Sequence, residues 1–125
     1  MRNSFCATAI LVAASLAPAA ANDLAATEWK LEDSAVEQSI SFNEEGRFQG
    51  FAGCNRVFGS YQSDGEKMKV TVFGQTRKFC GEKIDRHERT FLSALKQTRY
   101  SVRKNRSLKF LDKSKEILID FELRN

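Results

Sequence analysis

The chain has 125 residues, a formal net charge of +4 and a hydrophobic fraction of 42%, with ten phenylalanines and one tryptophan. This length is sufficient for one domain with its own core. The net charge is too small to indicate nucleic acid as a partner, and we expect none.

Residues 1–21 have the organisation of a secretory signal peptide. Arg2 precedes an uncharged apolar run over residues 5–17, and an Ala-x-Ala pattern ends at Ala21. The run is shorter than the roughly 20 apolar residues that a membrane-spanning helix needs. We therefore expect cleavage after Ala21 and export to the periplasm or beyond the cell. The mature domain, residues 22–125, is predicted to have no transmembrane segment.

Short segments of alternating apolar and polar residues predict strands through most of this domain. The predicted strands cover residues 29–32, 39–43, 47–51, 60–62, 67–73, 100–103, 108–111 and 116–123. Two turn signals predict hairpins between neighbouring strands, Asn43-Glu-Glu-Gly46 and Ser63-Asp-Gly65.

The apolar period changes to that of a helix between Glu82 and Thr98. Its apolar residues fall on one side, namely Ile84, Phe91, Leu92 and Leu95. Acidic residues lie early and basic residues late in this segment, as the helix dipole favours. The fold is therefore predicted to be mainly β (α+β). We expect a small antiparallel β-barrel or strongly coiled sheet of about eight strands, with one helix before the last three.

Cys54 and Cys80 are the two cysteines that would remain after cleavage at Ala21. An oxidising compartment favours a disulfide between them, and a pair of buried free thiols is the alternative. A nucleophilic Cys54 with His87 as its base is a sharper alternative, but it requires the base within hydrogen-bond reach. The paired ligand spacing of zinc sites is absent from the sequence. We predict no catalytic residue, no metal and no cofactor.

Asn55 and Arg56 follow Cys54 directly and are candidates for a binding surface. They would form a recognition pair if the loop presents both side chains at its mouth. Alternatively, Asn55 adopts a left-handed or side-chain-capped turn conformation while Arg56 pairs with an acidic residue.

A cluster of basic residues lies between the helix and the last strand. Its members are Lys96, Arg99, Arg103, Lys104, Arg106, Lys109, Lys113 and Lys115, with Asp112 opposing them. Arg103, Arg106 and Lys109 are the candidates for contact with an anionic envelope surface, such as phospholipid or lipopolysaccharide. The alternative is that these charges protect edge strands from aggregation.

Several motifs together resemble the META domain family of heat-inducible HslJ-like bacterial proteins. The matching segments are Trp29-Lys-Leu31, Gly50-Phe-Ala-Gly-Cys-Asn-Arg56, Gly59-Ser-Tyr61 and Thr76-Arg-Lys-Phe-Cys80, followed by Glu88, Phe91 and Leu95 in the helix. The resemblance covers nearly the whole mature chain. It implies a compact β-barrel-like fold with a helix, and a secreted or envelope-associated protein linked to stress or antibiotic tolerance. The family has no established catalytic residues, and its suggested similarity to pilotins implies lipid or peptide binding.

The sequence therefore predicts a non-enzymatic, monomeric periplasmic or secreted protein that supports the envelope or stress tolerance. It would do so by binding an envelope protein or an anionic envelope surface. The alternative function is a lipocalin-like or pilotin-like carrier of a lipid or peptide, which would need a cavity. An enzyme is the third possibility, without a recognisable triad or metal set to support it.

Overall fold

The computed structural model describes residues 24–31 and 35–124, so the predicted signal peptide and its cleavage site lie outside the described residues. Within these ranges the chain forms eight strands and one helix. Their bounds are β1 Thr27–Leu31, β2 Ser39–Phe42, β3 Arg47–Phe51, β4 Arg56–Asp64, β5 Lys67–Gln75, α1 Glu82–Gln97, β6 Tyr100–Lys104, β7 Ser107–Leu111 and β8 Ile117–Arg124. The predicted number of strands and the predicted position of the helix are confirmed.

The strands pair in chain order, each antiparallel to the next, and β8 pairs with β1 to close a barrel. The β5–β6 seam differs from the others, because within the described residues these strands pair only at Lys67 and Tyr100. Helix α1 is inserted at this point and packs against β5 and β8. Phe91 of α1 meets Phe121 of β8 edge to face, with ring centroids 6.4 Å apart. The helix thus joins the core where strand pairing is weakest.

Large apolar side chains fill the barrel interior. Its fully buried members include Trp29, Phe48, Phe110, Phe121, Leu108 and Ile40. Phe42 and Tyr61 contact edge to face with centroids 4.7 Å apart, a geometry that aromatic pairs prefer. The polar tips of the aromatics are also satisfied, since the Trp29 indole donates to Thr27 Oγ1 and the Tyr61 hydroxyl donates to the Asn43 carbonyl. The interior is packed with side chains.

Strand β4 begins at Arg56, four residues before the predicted start at position 60. The missed part contains Gly59, and an isolated glycine normally weakens a strand prediction. Here a side chain would not fit, because a Cβ on Gly59 would lie 1.9 Å from the Thr71 carbonyl oxygen and 2.8 Å from the Phe48 ring. Strand β5 also runs two residues beyond the predicted end and is irregular where Phe58 and Gly59 face it.

Candidate functional site

The predicted disulfide between Cys54 and Cys80 is present, with Cα atoms 5.9 Å apart. It joins the segment between β3 and β4 to the segment between β5 and α1. Cys54 is buried and Cys80 is exposed. Because the Cys54 sulfur is bonded to Cys80, it is not available as the thiolate nucleophile considered from the sequence.

Beneath this disulfide lies the carboxylate of Glu88, a helix residue that is only 5% exposed. Its Oε2 accepts the backbone N–H groups of Cys54 at 3.0 Å and Asn55 at 2.6 Å, and its Oε1 accepts Asn55 Nδ2 at 2.7 Å. A buried carboxylate is costly unless several donors satisfy it, and charge-assisted hydrogen bonds of this kind are strong. Glu88 therefore fixes the backbone on which Cys54 and Asn55 lie.

Sequence reasoning missed this role and counted Glu88 among the acids that favour the start of a helix. The available signal was its position, four residues after Ile84 and three before Phe91, which places it in the apolar stripe. A charged residue in such a stripe needs a buried partner, and Asn55 is that partner here.

Asn55 is 3% exposed, so it does not belong to a binding surface and that prediction is wrong. Its Oδ1 accepts the Thr76 hydroxyl at 2.8 Å and the Lys78 N–H at 2.6 Å, while its Nδ2 also donates to the Lys78 carbonyl at 3.0 Å. The amide thus uses both donors and accepts two hydrogen bonds. The side-chain-capped alternative is confirmed, whereas the left-handed conformation is absent from Asn55.

We call Cys54, Asn55, Thr76, Lys78, Cys80 and Glu88 the clasp. A second buried amide links the same loop to the helix, because Gln38 Nε2 donates to the Ala52 carbonyl at 2.8 Å and to the His87 carbonyl at 3.1 Å. Each of these bonds joins segments far apart in the chain. The clasp is consequently a structural feature that ties two loops to one helix.

Arg56 is the first residue of β4, and its side chain is exposed. Its backbone N–H donates to Thr76 Oγ1 at 3.0 Å. Within the part of the chain that the structure describes, its guanidinium forms no ion pair, so the expected pairing with an acid is not observed. Arg56 is therefore available at the surface, next to the clasp.

The three basic candidates of the C-terminal half each have a partner within the protein. The Arg103 guanidinium lies 5.1 Å from the ring centroid of Trp29. Arg106 donates to the Leu123 carbonyl at 2.9 Å, and Lys109 lies 3.8 Å from the carboxylate of Asp120. These contacts give each residue a structural role, and binding of an anionic surface by them stays a prediction.

The outer side of the barrel carries two exposed phenylalanines that sequence reasoning did not single out. Phe58 is 48% exposed and Phe73 is 57% exposed, and both line a groove of about 470 Å³. The Arg47 guanidinium lies 5.7 Å from the Phe73 ring centroid. Phe58 packs over Gly74, where a Cβ would lie 2.9 Å from the ring. We call Arg47, Phe58 and Phe73 the outer aromatic face.

A second groove, of about 650 Å³, lies between α1 and β8. Leu31, Phe91 and Leu118 contribute apolar surface, while His87 and Asp120 contribute polar groups. It is a depression beside the barrel, separate from the packed interior. No helix in the described ranges is both long enough and apolar enough to cross a membrane.

Comparisons with known proteins agree on the fold. The family model described as the META domain matches residues 22–124. A protein from Burkholderia xenovorans, solved by NMR, is similar with a TM-score of 0.70 and 23% identity, covering 87% of this chain and 89% of that one. A duf4847 family protein from Bacteroides vulgatus has a TM-score of 0.61 at 15% identity, covering 81% and 94%. No curated protein matches the chain significantly.

Proposed function

The chain belongs to the META domain family, and from this premise we propose that it is an exported, non-enzymatic protein that supports the cell envelope by binding a protein partner. The outer aromatic face is the proposed contact surface. The observation that carries the proposal is the exposure of Phe58 and Phe73 in one groove, with Arg47 against the Phe73 ring.

Aromatic side chains and arginines are enriched among the residues that dominate protein–protein binding. The phenylalanines of this face offer apolar area to a partner, and Arg47 offers a cation beside it. The complementary partner surface therefore presents apolar side chains next to carboxylates. A protein supplies both groups within one patch, which is why we propose a protein at this face.

The clasp supports the non-enzymatic part of the proposal. Its carboxylate and amide are committed to internal hydrogen bonds, and its cysteines are bonded to each other. A general acid or base has to reach a substrate proton, which these buried groups do not. The clasp residues that lie in the sequence motifs, such as Cys54, Asn55 and Cys80, therefore have structural roles.

Export is supported by the disulfide, since disulfides persist mainly in oxidising compartments. The signal-peptide pattern of residues 1–21 supports the same compartment. An oxidised crosslink between two loops would keep the protein folded outside the cytoplasm.

A carrier function is less well supported, because the barrel interior holds side chains such as Trp29, Phe48 and Phe110 rather than a cavity. A carrier would have to use the open groove between α1 and β8, where Arg86, His87 and Asp120 place polar groups. Mass spectrometry of the purified protein would reveal a co-purifying lipid or peptide if this alternative were correct.

The proposal is tested by site-specific photo-crosslinking in the producing cell. A photo-reactive amino acid at position 49, where Gln49 lines the groove, is compared with one at position 113, where Lys113 lies in an exposed turn outside the face. We expect one dominant protein adduct from position 49 and none of that mass from position 113. Phe58→Ser and Phe73→Ser should each abolish the adduct.

The matched control is Ile117→Ser, because Ile117 is also an exposed apolar side chain, at 58%, but lies outside the face. This change should leave the adduct intact. Equal adducts from both positions, or an adduct that survives loss of both phenylalanines, would overturn the proposal.

A further inference from the structure

The most exposed large apolar side chain among the described residues is Phe79, at 76% exposure. It lies in the loop between β5 and α1, directly before Cys80 and after two basic residues, Arg77 and Lys78. The outer aromatic face does not include this loop. We call residues 77–79 the basic–aromatic tip.

The tip is held firmly from both sides. Lys78 donates its N–H to Asn55 Oδ1 and accepts Asn55 Nδ2 at its carbonyl, while Cys80 is bonded to Cys54. Phe79 lies between these two anchored residues. Its outward position is therefore a consequence of a fixed backbone, and little ordering would be required on binding.

Cationic residues line the same depression as Phe79. Arg77, Lys78 and Phe79 line one shallow depression together with Arg89 of the helix. The same depression is also lined by Asp85 and Glu88. Glu88 is buried in the clasp, and Asp85 is half-buried, with its Oδ1 enclosed and without a hydrogen-bond partner among the described residues. Arg56 lies next to Thr76 at the base of the loop.

We propose that the basic–aromatic tip inserts into the interface of a lipid bilayer that contains anionic headgroups. Phenylalanine partitions to the boundary between headgroups and acyl chains, and neighbouring lysines and arginines are attracted to anionic lipids. A projecting apolar side chain with Arg77, Lys78 and Arg89 beside it suits a bilayer interface. A protein pocket for Phe79 would leave Arg77, Lys78 and Arg89 to find separate acidic partners.

This inference is independent of the proposed protein partner, because it uses different residues and a different loop. Loss of the tip would leave the outer aromatic face unchanged. Failure of membrane binding and failure of partner binding are therefore distinguishable by the variant that causes each.

The test uses the protein purified from the cell that produces it. The protein is mixed with vesicles of neutral phosphatidylcholine, or of phosphatidylcholine with an anionic phosphatidylglycerol fraction. A Phe79→Trp variant reports the tip directly, since the native Trp29 is fully buried. We expect a blue shift of its emission and quenching by brominated lipids with anionic vesicles. Both signals should weaken between about 0.1 M and about 1 M salt, where the Debye length falls from about 10 Å to about 3 Å.

Sedimentation with the same vesicles provides the second readout. Phe79→Ser should lower the partition coefficient about tenfold, which corresponds to partial burial of one phenylalanine side chain. Ile117→Ser is the matched control and should leave the coefficient unchanged, because Ile117 lies on β8 away from the tip. Circular dichroism and intact mass without reductant verify that each variant is folded and crosslinked.

Three results would overturn the inference. The first is an emission spectrum of Phe79→Trp that does not change with anionic vesicles. The second is equal sedimentation of the wild-type protein and Phe79→Ser. The third is a photo-crosslink from position 79 to a protein in preparations free of lipid, which would assign the tip to a protein pocket.

Discussion

The clasp lies in α1 and in the loops before β4 and after β5, whereas the outer aromatic face lies on β3, β4 and β5, and the side chains of the two regions meet opposite conditions. In the clasp, Asn55 and Glu88 are buried polar residues, and both the amide of Asn55 and the carboxylate of Glu88 form hydrogen bonds. On the face, Phe58 and Phe73 are apolar residues exposed to water. The first arrangement stabilises the fold, whereas the second contributes little to it. The difference separates the residues that hold the barrel together from those free to bind.

The largest expected effect comes from opening the clasp at its disulfide. A crosslink with a sequence separation of 26 residues stabilises the folded state by about 3.5 kcal/mol on the chain-entropy account. We expect Cys54→Ala combined with Cys80→Ala to lower the unfolding free energy by about this amount, measured by urea denaturation. Reduction of the wild-type protein should give the same value. A loss below about 1 kcal/mol would contradict a structural role for the disulfide.

A somewhat smaller loss is expected when Glu88 is changed to Gln. The new amide keeps one oxygen acceptor and replaces the other with an NH2 group, so at least one N–H group of Cys54 or Asn55 would face a donor instead of an acceptor. We expect a loss of about 2–3 kcal/mol in unfolding free energy. Glu82→Gln is the control on the same helix, because Glu82 is exposed, and it should cost less than about 1 kcal/mol. Equal losses for both variants would show that the hydrogen bonds of Glu88 in the clasp do not stabilise the fold.

The smallest effect on stability is expected at the outer aromatic face. Phe73 is more than half exposed, so Phe73→Ser should change the unfolding free energy by about 0.5 kcal/mol or less. The same change should abolish the partner adduct from position 49. A large loss of stability would show that this side chain belongs to the core instead.

The sequence was informative about the barrel because alternation and turn chemistry act locally. The segment that became β3 needed only its own residues and the turn before it, where Asn43 Oδ1 accepts the N–H groups of Glu45 and Arg47. The disulfide was predictable from the expected oxidising compartment and from the two cysteines expected to remain after signal-peptide cleavage. These signals do not depend on where the strands lie in the barrel.

The site was less predictable because its features depend on register. Phe58 lies outward since Val57 and Tyr61 lie inward, but Gly59 between them obscures the alternation. Phe73 lies where the β4–β5 pairing shifts, and a residue at such an irregularity does not follow the simple period. The sequence left Asn55 as either a recognition residue at the loop mouth or a left-handed or side-chain-capped turn residue, because the buried carboxylate of Glu88 that bonds it comes from a distant helix.

The most direct test of the division between clasp and face is the crosslinking yield from position 49 per folded molecule, compared between Glu88→Gln and Phe73→Ser. The measurement is made at a temperature at which circular dichroism shows both variants to be folded. The structure predicts an unchanged yield for Glu88→Gln, although this variant has the lower unfolding free energy. It predicts loss of the adduct for Phe73→Ser, although the stability of this variant is nearly unchanged. Loss of the adduct in Glu88→Gln with retention in Phe73→Ser would contradict the account and assign partner binding to the clasp.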